Sequence, residues 1–516
     1  MPYVAELDLA GCESRTVYLD QDGDGYGDPG TAMRACNAPD DAIQDGSDCD
    51  DADAGISPAA EAICADAVDN NCDGAPDCPA LEGRVHLDEA SAVMVDQVDG
   101  SAGEGMHIGD FSGDGLNDYL LAADYAVEDG HRGRIYVVQG PVSGEIDLTS
   151  DDVPDISSDA VNIDGHWSAS GDLDGDGYLD ILSASADSNK NIVFLASGPF
   201  GDHDVQLDTE ASAYLTQTYD DDDGQGDTHI ATGDVLGDDG QDDLLFDRGW
   251  VVDEIAAAFF VAGPLPSEGE FTEIADAALY TLWDGERDGF WRVDIVGDID
   301  GDGISDVSAS TGGDYVFVIY ELPLGESEAF DLADVTIYGE GESIGSQLVS
   351  PGDVDGDGLD DLLILRNDPD DIYWGTGDTA FLFSSGALNH GASAGTLDLE
   401  GDALAIFDSS GQLGMGVGKP GDMNRDGYAE VFLGDPDDYI GEDDNTGYAS
   451  LWYGPVEGDY AGMSGDIVIK GDELGSRTGW RVAASPGDDR NNPVLLVGTW
   501  PFFGASTVYQ FTPDGY

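Results

Sequence analysis

The sequence predicts an all-β fold, a seven-bladed β-propeller of four-stranded blades, preceded by a small disulfide-rich domain. Three observations predict it. A nine-residue acidic loop recurs at intervals of 55 to 69 residues, short apolar segments follow its copies, and all six cysteines lie within residues 1–79. A period of this size is typical of an array built from one repeated supersecondary unit.

The acidic loop is clearest at residues 172–180, which read Asp-Leu-Asp-Gly-Asp-Gly-Tyr-Leu-Asp. Ca²⁺ takes roughly six to eight oxygen ligands, and alternate residues of a tight loop can direct carboxylates to one point. Gly at position 6 suits a sharp turn with positive φ, and position 7 would offer its backbone carbonyl. The loop therefore predicts a calcium site with ligands at positions 1, 3, 5, 7 and 9.

Five copies of this loop are intact. Their predicted calcium ligands are Asp110, Ser112, Asp114, Leu116 and Asp118; Asp172, Asp174, Asp176, Tyr178 and Asp180; Asp298, Asp300, Asp302, Ile304 and Asp306; Asp353, Asp355, Asp357, Leu359 and Asp361; and Asp422, Asn424, Asp426, Tyr428 and Glu430. Degraded copies begin at Asp234, where Leu236 takes position 3, and at Asp488, where Arg490 adds positive charge. We expect no metal at the seventh copy.

The loops join strands rather than helices. An EF-hand needs Glu at position 12 and flanking helices, but Leu121 and Ser183 stand at that place in the first two copies. Short apolar or β-branched segments such as 362–365 follow instead, as expected of buried strands.

Two further strands complete each predicted unit. One ends in Gly-Pro or a close relative, as at 135–141, and the next has copies at 146–148, 205–207, 330–332 and 397–399. Four strands per unit and seven units describe a propeller.

The ends of the repeat array are shifted by one strand. An outer-strand copy at 85–87 precedes the first loop, whereas the last unit ends at 508–511 without one. We therefore expect residues 83–96 to supply the outermost strand of the seventh blade, which would close the ring and leave no open edge.

The repeat also resembles a known family. Gly-Asp followed by Asp-Gly-Asp-Gly-x-x-Asp and an apolar strand is similar to the FG-GAP repeat of integrin α-subunit propellers, over residues 83–516. The resemblance implies calcium loops between the first and second strands of each blade, on the face opposite the usual ligand-binding face. Such a motif is specific for fold and weak for activity.

Residues 1–79 form a separate predicted domain, and residues 80–516 form the propeller. The small domain has two more loops of the same design, with predicted ligands Asp20, Asp22, Asp24, Tyr26 and Asp28, and Asp69, Asn71, Asp73, Ala75 and Asp77. Together with the five propeller loops they make about seven predicted calcium sites.

The cysteines predict a disulfide framework in an oxidising compartment, because their number is even and the segment is too short to bury a large core. A structural zinc site usually has cysteine pairs two to four residues apart, whereas the smallest gap here is that between Cys72 and Cys78. Six cysteines allow 15 pairings, and sequence alone does not choose among them.

The segment from Asp48-Cys49-Asp50-Asp51 to Asn71-Cys72-Asp73-Gly74 resembles the MopE-type metal-binding motif of bacterial surface proteins. That family's layout implies pairs of Cys36 with Cys49 and of Cys64 with Cys72, leaving Cys12 with Cys78. One relative of the motif is linked to copper. Residues 1–79 contain no His or Trp, however, and their oxygen-rich loops favour a hard cation such as Ca²⁺.

Charge and targeting patterns favour a secreted or cell-surface protein of bacterial origin. The chain has 110 Asp and Glu against 16 Lys and Arg, a net charge of −94 that argues against a nucleic-acid partner. No apolar stretch is long enough to span a membrane, and no export signal follows Met1. Residues 9–12 resemble a lipobox with Cys12 as the lipid anchor, but no apolar run precedes them and lipidation would leave an odd cysteine.

No catalytic motif stands out, so the sequence favours a non-enzymatic protein. It contains no His-Glu-x-x-His motif, and its seven His residues are scattered. Aromatic and Arg side chains predicted to lie opposite the calcium loops are the candidates for ligand binding. They are Trp167, Trp291, Arg292, Trp374, Trp480 and Arg481, and the alternative for each is packing between blades.

These observations predict an adhesion or ligand-binding protein whose calcium ions stabilise the blades and whose partner is an extracellular protein or glycan. Two alternatives stay open. A carbohydrate-binding or carbohydrate-active propeller needs acidic and aromatic residues converging in one cleft. A structural subunit of a surface assembly or fibre would self-associate through its edges or end faces.

Overall fold

The structure is a computed structural model. It describes residues 15–35, 39, 42–49, 51–52, 56–58, 72, 83–97, 102–128, 131–150, 152–158, 164–187, 190–201, 203–218, 228–237, 241–248, 257–265, 271–283, 290, 292–311, 313–323, 325–339, 343–367, 377–391, 396–409, 413–414, 416–436, 446–461, 464–471, 476–487, 491–500 and 506–512. The chain divides into two compact units, Met1–Leu81 and Glu82–Tyr516.

The first unit contains a small antiparallel sheet. Strand β1 (Arg15–Leu19) lies between β2 (Met33–Ala35) and β3 (Ala42–Ile43). The first acidic loop follows β1 directly and leads into a 3₁₀ turn at Pro29–Thr31. Proline at the first position of this turn costs no backbone hydrogen bond, since that N–H lacks an intrahelical partner in any case.

The described residues of the second unit form seven five-stranded sheets, numbered here by the order of their first strands. Sheet 1 contains β6 (Met106–Gly109), β7 (Asp118–Glu128), β8 (His131–Val138), β10 (Asp155–Ser157) and β14 (Val205–Gln206). Sheet 2 contains β11 (Asp164–Gly171), β12 (Asp180–Asp187), β13 (Lys190–Ala196), β15 (Ala213–Thr218) and β19 (Phe271–Glu273). Sheet 3 contains β16 (Thr228–Gly233), β17 (Asp243–Arg248), β18 (Ala257–Val261), β20 (Tyr280–Trp283) and β24 (Gly325–Glu328).

The other four sheets repeat this order. Sheet 4 contains β21 (Arg292–Ile295), β22 (Val307–Ser310), β23 (Tyr315–Ile319), β25 (Val335–Tyr338) and β29 (Thr396–Asp398). Sheet 5 contains β26 (Ser343–Gly352), β27 (Asp361–Asn367), β28 (Gly377–Phe383), β30 (Ala405–Asp408) and β34 (Gly458–Ala461). Sheet 6 contains β31 (Val417–Gly418), β32 (Val431–Asp435), β33 (Tyr448–Trp452), β35 (Ile467–Lys470) and β4 (Gly83–His86). Sheet 7 contains β36 (Val482–Ser485), β37 (Val494–Thr499), β38 (Ser506–Phe511), β5 (Ala92–Asp96) and β9 (Gly144–Asp147).

Short helical segments lie among the outer strands. They are a 3₁₀ turn at Leu87–Glu89, α1 (Leu207–Glu210), α2 (Ile274–Ala277), α3 (Ala329–Leu332) and α4 (Ser385–Gly391). No helix in the part of the chain that the structure describes is long and apolar enough to cross a membrane.

The all-β class is confirmed, but the prediction of four strands per sheet is wrong. Each sheet has four antiparallel strands and a parallel fifth strand at its outer edge. In six sheets the fifth strand comes from the connection between the third and fourth strands of the next sheet, so β9 pairs with β5 and β14 pairs with β10. The predicted strands at 146–148, 205–207 and 397–399 overlap these crossing segments, whereas residues 330–332 lie in α3.

The segment 83–96 serves two sheets rather than one. Strand β4 pairs in parallel with β35 of sheet 6, and β5 pairs with β38 of sheet 7 in antiparallel orientation. Strand β5 is the fourth strand of sheet 7, and β9 takes the outermost place that the sequence assigned to residues 83–96.

The core lies between successive sheets. In sheet 3, Leu244 and Phe246 contact residues of sheet 2, and the alternate residue Leu245 contacts sheet 4, as the two-residue period of a strand requires. Both faces are therefore covered, which explains why the second and third strands read as continuous apolar runs. Sheets 7 and 1 also share a cluster, in which Leu496 and Val508 lie with Leu121.

Candidate metal centres

Each intact acidic loop of the second unit connects the first and second strands of its sheet; residues 172–180, for example, link β11 to β12. Position 1 organises the backbone of the turn. The Asp172 carboxylate accepts hydrogen bonds from the N–H groups of Gly175 at 2.9 Å and Gly177 at 3.0 Å. The equivalent pair of hydrogen bonds forms at Asp20, Asp110, Asp298 and Asp353.

Position 6 has the backbone conformation that the sequence predicted. The φ angle is 90° at Gly177 and between 87° and 105° at Gly25, Gly115, Gly303, Gly358 and Gly427. Position 4 is also left-handed, at Gly175 with a φ of 76° and at Arg425 with a φ of 57°. The left-handed conformation at position 4 was not predicted, although Gly occupies this position in most of the copies.

Position 9 ties the loop to the third strand. In sheet 2, one oxygen of Asp180 accepts a hydrogen bond from the N–H of Leu173 at 2.9 Å, and the other accepts one from Gly198 at 2.9 Å. Gly198 belongs to the Gly-Pro pair that ends the third strand. Burial raises the pKa of Asp180 to about 7, although these hydrogen bonds favour the ionised form.

The surroundings of two position 9 carboxylates indicate whether the loops fit a cation. Asp306 is 1% exposed and Glu430 is 0% exposed, and Oδ1 of Asp306 and Oε1 of Glu430 accept no hydrogen bond from any described residue. Burial, together with the charge of nearby loop carboxylates, raises the pKa of each to about 8. A bound cation would neutralise these buried oxygens, so the residues fit a metal ion.

Carboxylates of three loops converge. Oxygens within 4.8 Å of one another come from Asp172, Asp174 and Asp180, from Asp298, Asp300 and Asp302, and from Asp353, Asp355 and Asp357. Ser112 and Asn424 take position 3 in the other two intact loops and contribute neutral oxygens. Such all-oxygen sets suit hard cations such as Ca²⁺ or Mg²⁺ better than soft metals.

The degraded loop of sheet 3 keeps part of this arrangement. Asp243 Oδ2 accepts hydrogen bonds from the N–H groups of Val235 and Leu236, and its other oxygen accepts one from Gly263. Asp243 thus takes the position 9 role one residue later than the spacing from Asp234 implies. The start of the seventh loop, residues 488–490, lies outside the described residues.

The first loop of the small unit gathers acids that the sequence analysis did not assign to it. Asp51 groups with Asp20 and Asp22, and Asp48 groups with Asp22 and Asp24, each set having oxygens within 4.8 Å. Asp28 is in neither set and instead accepts a hydrogen bond from the N–H of Gly30 at 2.6 Å. The five predicted ligands of the second loop, at residues 69–77, lie outside the described residues.

The cysteine pairing implied by the family layout is wrong for two of its pairs. Cys49 is bonded to Cys72, with Cα atoms 5.6 Å apart, so neither can pair with Cys36 or Cys64. The bond joins the segment after β3 to the second acidic loop, which are far apart in sequence. Cys12, Cys36, Cys64 and Cys78 lie outside the described residues.

The candidate ligand-binding residues have different environments in the structure. Trp480 is 6% exposed, lies 4.2 Å from the Trp500 ring centroid and donates a hydrogen bond to Glu104 at 3.1 Å, so it packs in the core. Arg292 and Arg481 line a central cavity. Trp291 and Trp374, and the side chain of Trp167, lie outside what the structure describes.

Comparison with known sequences gives two partial similarities. Residues 48–77 match the family named Cu-binding MopE, described as a "Putative metal-binding motif". The chain is 31% identical over 187 residues to integrin alpha-PS2 of Drosophila melanogaster, a match that covers 35% of this chain and 12% of that protein. The chain therefore spans only a small part of the curated relative that it matches.

Similar solved structures include BBS1N in complex with ARL6DN, soaked with lead, with a TM-score of 0.41 and 10% identity. That match covers 81% of this chain and 94% of the other. The exotype rhamnogalacturonan lyase YesX has a TM-score of 0.38 and 14% identity, with 82% and 76% of the two chains covered. Likenesses this weak assign no function to the chain.

Proposed function

We propose that this protein is a secreted or cell-surface, non-enzymatic binding protein of bacterial origin, whose calcium ions stabilise a closed seven-bladed propeller and whose task is adhesion. The observation that supports calcium most directly is the buried, hydrogen-bond-deficient oxygen of Asp306 beside converging Asp298, Asp300 and Asp302. A cation supplies the counter-charge that this arrangement lacks.

Two observations support a closed ring. The apolar cluster between sheets 7 and 1 resembles those between sheets 1 and 2 and between sheets 2 and 3. The two strands in residues 83–96 extend the last two sheets, and the ring thereby avoids a free edge at the junction of its ends.

Calcium would stabilise this ring because each loop brings several carboxylates together where two strands meet. Without the ion these groups repel one another, and those that are buried must take up protons. At free calcium ten times the dissociation constant, each independent site adds roughly 1.4 kcal/mol of stability. Five propeller sites would then add about 7 kcal/mol, a large share of the roughly 5–15 kcal/mol typical of a domain.

The surface location and the adhesive role come from the sequence and the partial relatives. The net charge of −94, the Cys49–Cys72 disulfide and the similarity to part of an integrin α-chain all favour the extracellular space. The similarity of residues 48–77 to a metal-binding motif adds a second metal-binding segment to the chain.

Thermal unfolding in excess EDTA and in millimolar Ca²⁺, with bound metals quantified before chelation, tests the proposal. We expect about seven calcium ions per chain and a rise in melting temperature that Mg²⁺ at the same concentration does not reproduce. An unchanged melting temperature with little bound calcium would refute the stabilising role. Copper as the main bound metal would refute the assignment of the small domain to calcium.

A further inference from the structure

A single cavity of about 480 Å³ lies at the centre of the second unit, and the first strands of all seven sheets line it. Its volume is within the roughly 300–1,000 Å³ typical of small-molecule sites. The acidic loops follow these strands, so residues three positions before a loop lie near the loop end. Residues six positions before it lie about 10 Å deeper along the strand.

The charge of the cavity is opposite to that of the chain. The protein has 110 acidic and 16 basic residues, yet Arg292, Lys419 and Arg481 line the cavity and Asp294 is the one acidic residue among the described residues that do so. In so acidic a protein, basic groups that line a partly open cavity concentrate positive potential where a small anion can enter.

These basic groups differ in their availability. Lys419 is exposed and forms no hydrogen bond or ion pair with a described residue. Arg292 makes two long contacts with Asp294 Oδ2, through Nε at 3.5 Å and through a hydrogen bond donated by Nη2 at 3.5 Å, and its Nη1 forms no hydrogen bond with a described residue. Arg481 is committed to Glu104, because its Nε donates to the carbonyl oxygen at 3.2 Å. Lys419 and Arg292 are therefore the groups that can bind an anion.

Neutral hydrogen-bonding groups surround these cations. The His107 ring nitrogens lie 2.8 Å from Ser168 Oγ and 3.2 Å from Ser170 Oγ. Burial lowers the pKa of His107 to about 4, and burial followed by the Arg292 charge lowers the pKa of His229 to about 3. Both imidazoles are uncharged at neutral pH, so they add no charge to the cavity, and their hydrogen bonds orient the Ser168 and Ser170 hydroxyls and bind the Val293 carbonyl oxygen.

We propose that this central cavity binds a small organic carboxylate that carries hydroxyl groups, the chemical class of a sugar acid. Lys419 pairs with the carboxylate, Arg292 contributes a second set of donors deeper in the cavity, and the serine and threonine hydroxyls that line the cavity bind the ligand hydroxyls. The site differs from the calcium loops.

Isothermal titration calorimetry on the full chain, in saturating Ca²⁺ at fixed free concentration, tests this with glucuronate, glucose and sulfate. We expect glucuronate to bind at least ten times more tightly than glucose or sulfate. Equal affinity for glucose would refute the role of the carboxylate, and equal affinity for sulfate would show an adventitious anion site only.

Variants locate the site. Lys419→Gln should weaken glucuronate binding at least tenfold, whereas Lys470→Gln, on the fourth strand of the same sheet and outside the cavity, should leave it unchanged. Arg292→Gln should also weaken it, with folding checked by calorimetric melting. Equal losses in both Lys variants would indicate bulk charge, and no loss in Lys419→Gln would overturn the proposal. Because calcium is saturating throughout, failure here would leave the proposed stabilising role of calcium intact.

Discussion

Asp360 Oδ2 accepts a hydrogen bond from the backbone N–H of Asp298 at 3.0 Å, across the boundary between sheets 5 and 4. Asp242 accepts the equivalent bond from Asp172 at 3.0 Å, between sheets 3 and 2. In each pair, an acid from one acidic loop fixes the first ligand position of the preceding loop. Neighbouring acidic loops are therefore connected by hydrogen bonds.

Asp360→Ala should destabilise the protein by roughly 1–3 kcal/mol, because the Asp298 N–H loses its acceptor in a half-buried place. Asp360→Asn keeps an acceptor oxygen and should retain most of the stability. The exposed Asp331→Ala should change the free energy of unfolding by less than about 0.5 kcal/mol. Denaturant unfolding in millimolar Ca²⁺ measures all three, and equal effects of the Ala and Asn variants would contradict the role of this hydrogen bond.

The metal content of individual loops can be counted. Asp300→Ala combined with Asp302→Ala removes two of the three converging carboxylates in the sheet 4 loop and should lower bound calcium by one ion per chain. Asp489→Ala alters the seventh loop, where the sequence predicts no metal, and should leave the count unchanged. Elemental analysis after desalting gives both numbers. A loss of one ion in Asp489→Ala would show that Arg490 does not prevent binding.

Gly177→Ala tests whether the loop requires a residue that tolerates a positive φ angle at position 6. A Cβ at this position would meet no atom within 4 Å, but the φ angle of 90° is unfavourable for any residue with a Cβ. We expect a cost of about 1–2 kcal/mol and weaker calcium binding. Gly313→Ala is the matched control, because its Cβ would touch only Thr311 Oγ1 at 3.9 Å and its φ is not left-handed. Equal stability of the two variants would contradict the conformational explanation.

The Asp247 carboxyl should make stability depend on pH. Burial is the main cause that raises its pKa to about 8; the Arg292 charge opposes this shift and the Asp294 charge adds to it. Between about pH 4 and pH 8 the unfolded chain releases this proton and the folded chain keeps it, so this group's contribution to stability falls as pH rises through that window.

Asp247→Asn mimics the neutral acid, so its melting temperature relative to the wild type should rise by a few degrees between pH 5 and pH 8.5. His229 lies opposite Asp247 on β16 and stays uncharged in the folded state. Both proteins contain it, so its contribution to the pH dependence cancels when their melting temperatures are subtracted. Asp331→Asn serves as the exposed control. A difference that is constant with pH would show that Asp247 is ionised throughout.

The sequence predicted those parts of the fold and site that depend on local chemistry. The left-handed glycine at position 6, exemplified by Gly177, follows from the turn itself, and the buried strands follow from apolar runs. The fifth strand of each sheet was misassigned because it pairs with a strand of the preceding sheet. The residues of segment 144–147, for example, do not indicate that their partner strand is β5. Asp243 was missed because one inserted residue changes the spacing of the loop without changing its hydrogen bonds.

The small domain shows the same limit. Asp48 and Asp51 follow β2 and β3 in the sequence, yet they lie beside the loop of Asp20 and Asp22. The disulfide between Cys49 and Cys72 joins residues 23 positions apart. Spacing along the chain predicts neither contact. The run Asp48-Cys49-Asp50-Asp51 did carry a signal for metal ligands, because a disulfide does not require three acidic residues beside its cysteine.

This arrangement predicts that the disulfide supports the first metal centre. Asp48 is 2% exposed and directly precedes Cys49, and Asp51 Oδ1 accepts a hydrogen bond from the N–H of Gln21 at 2.9 Å. Replacing both cysteines, as Cys49→Ser with Cys72→Ser, releases the segment that carries these two acids. We expect the variant to lose one calcium ion per chain, as Asp48→Asn combined with Asp51→Asn should. Asp45→Asn, an exposed change just before this segment, should lose none, and full calcium content in the cysteine variant would show that the acids hold their places without the disulfide.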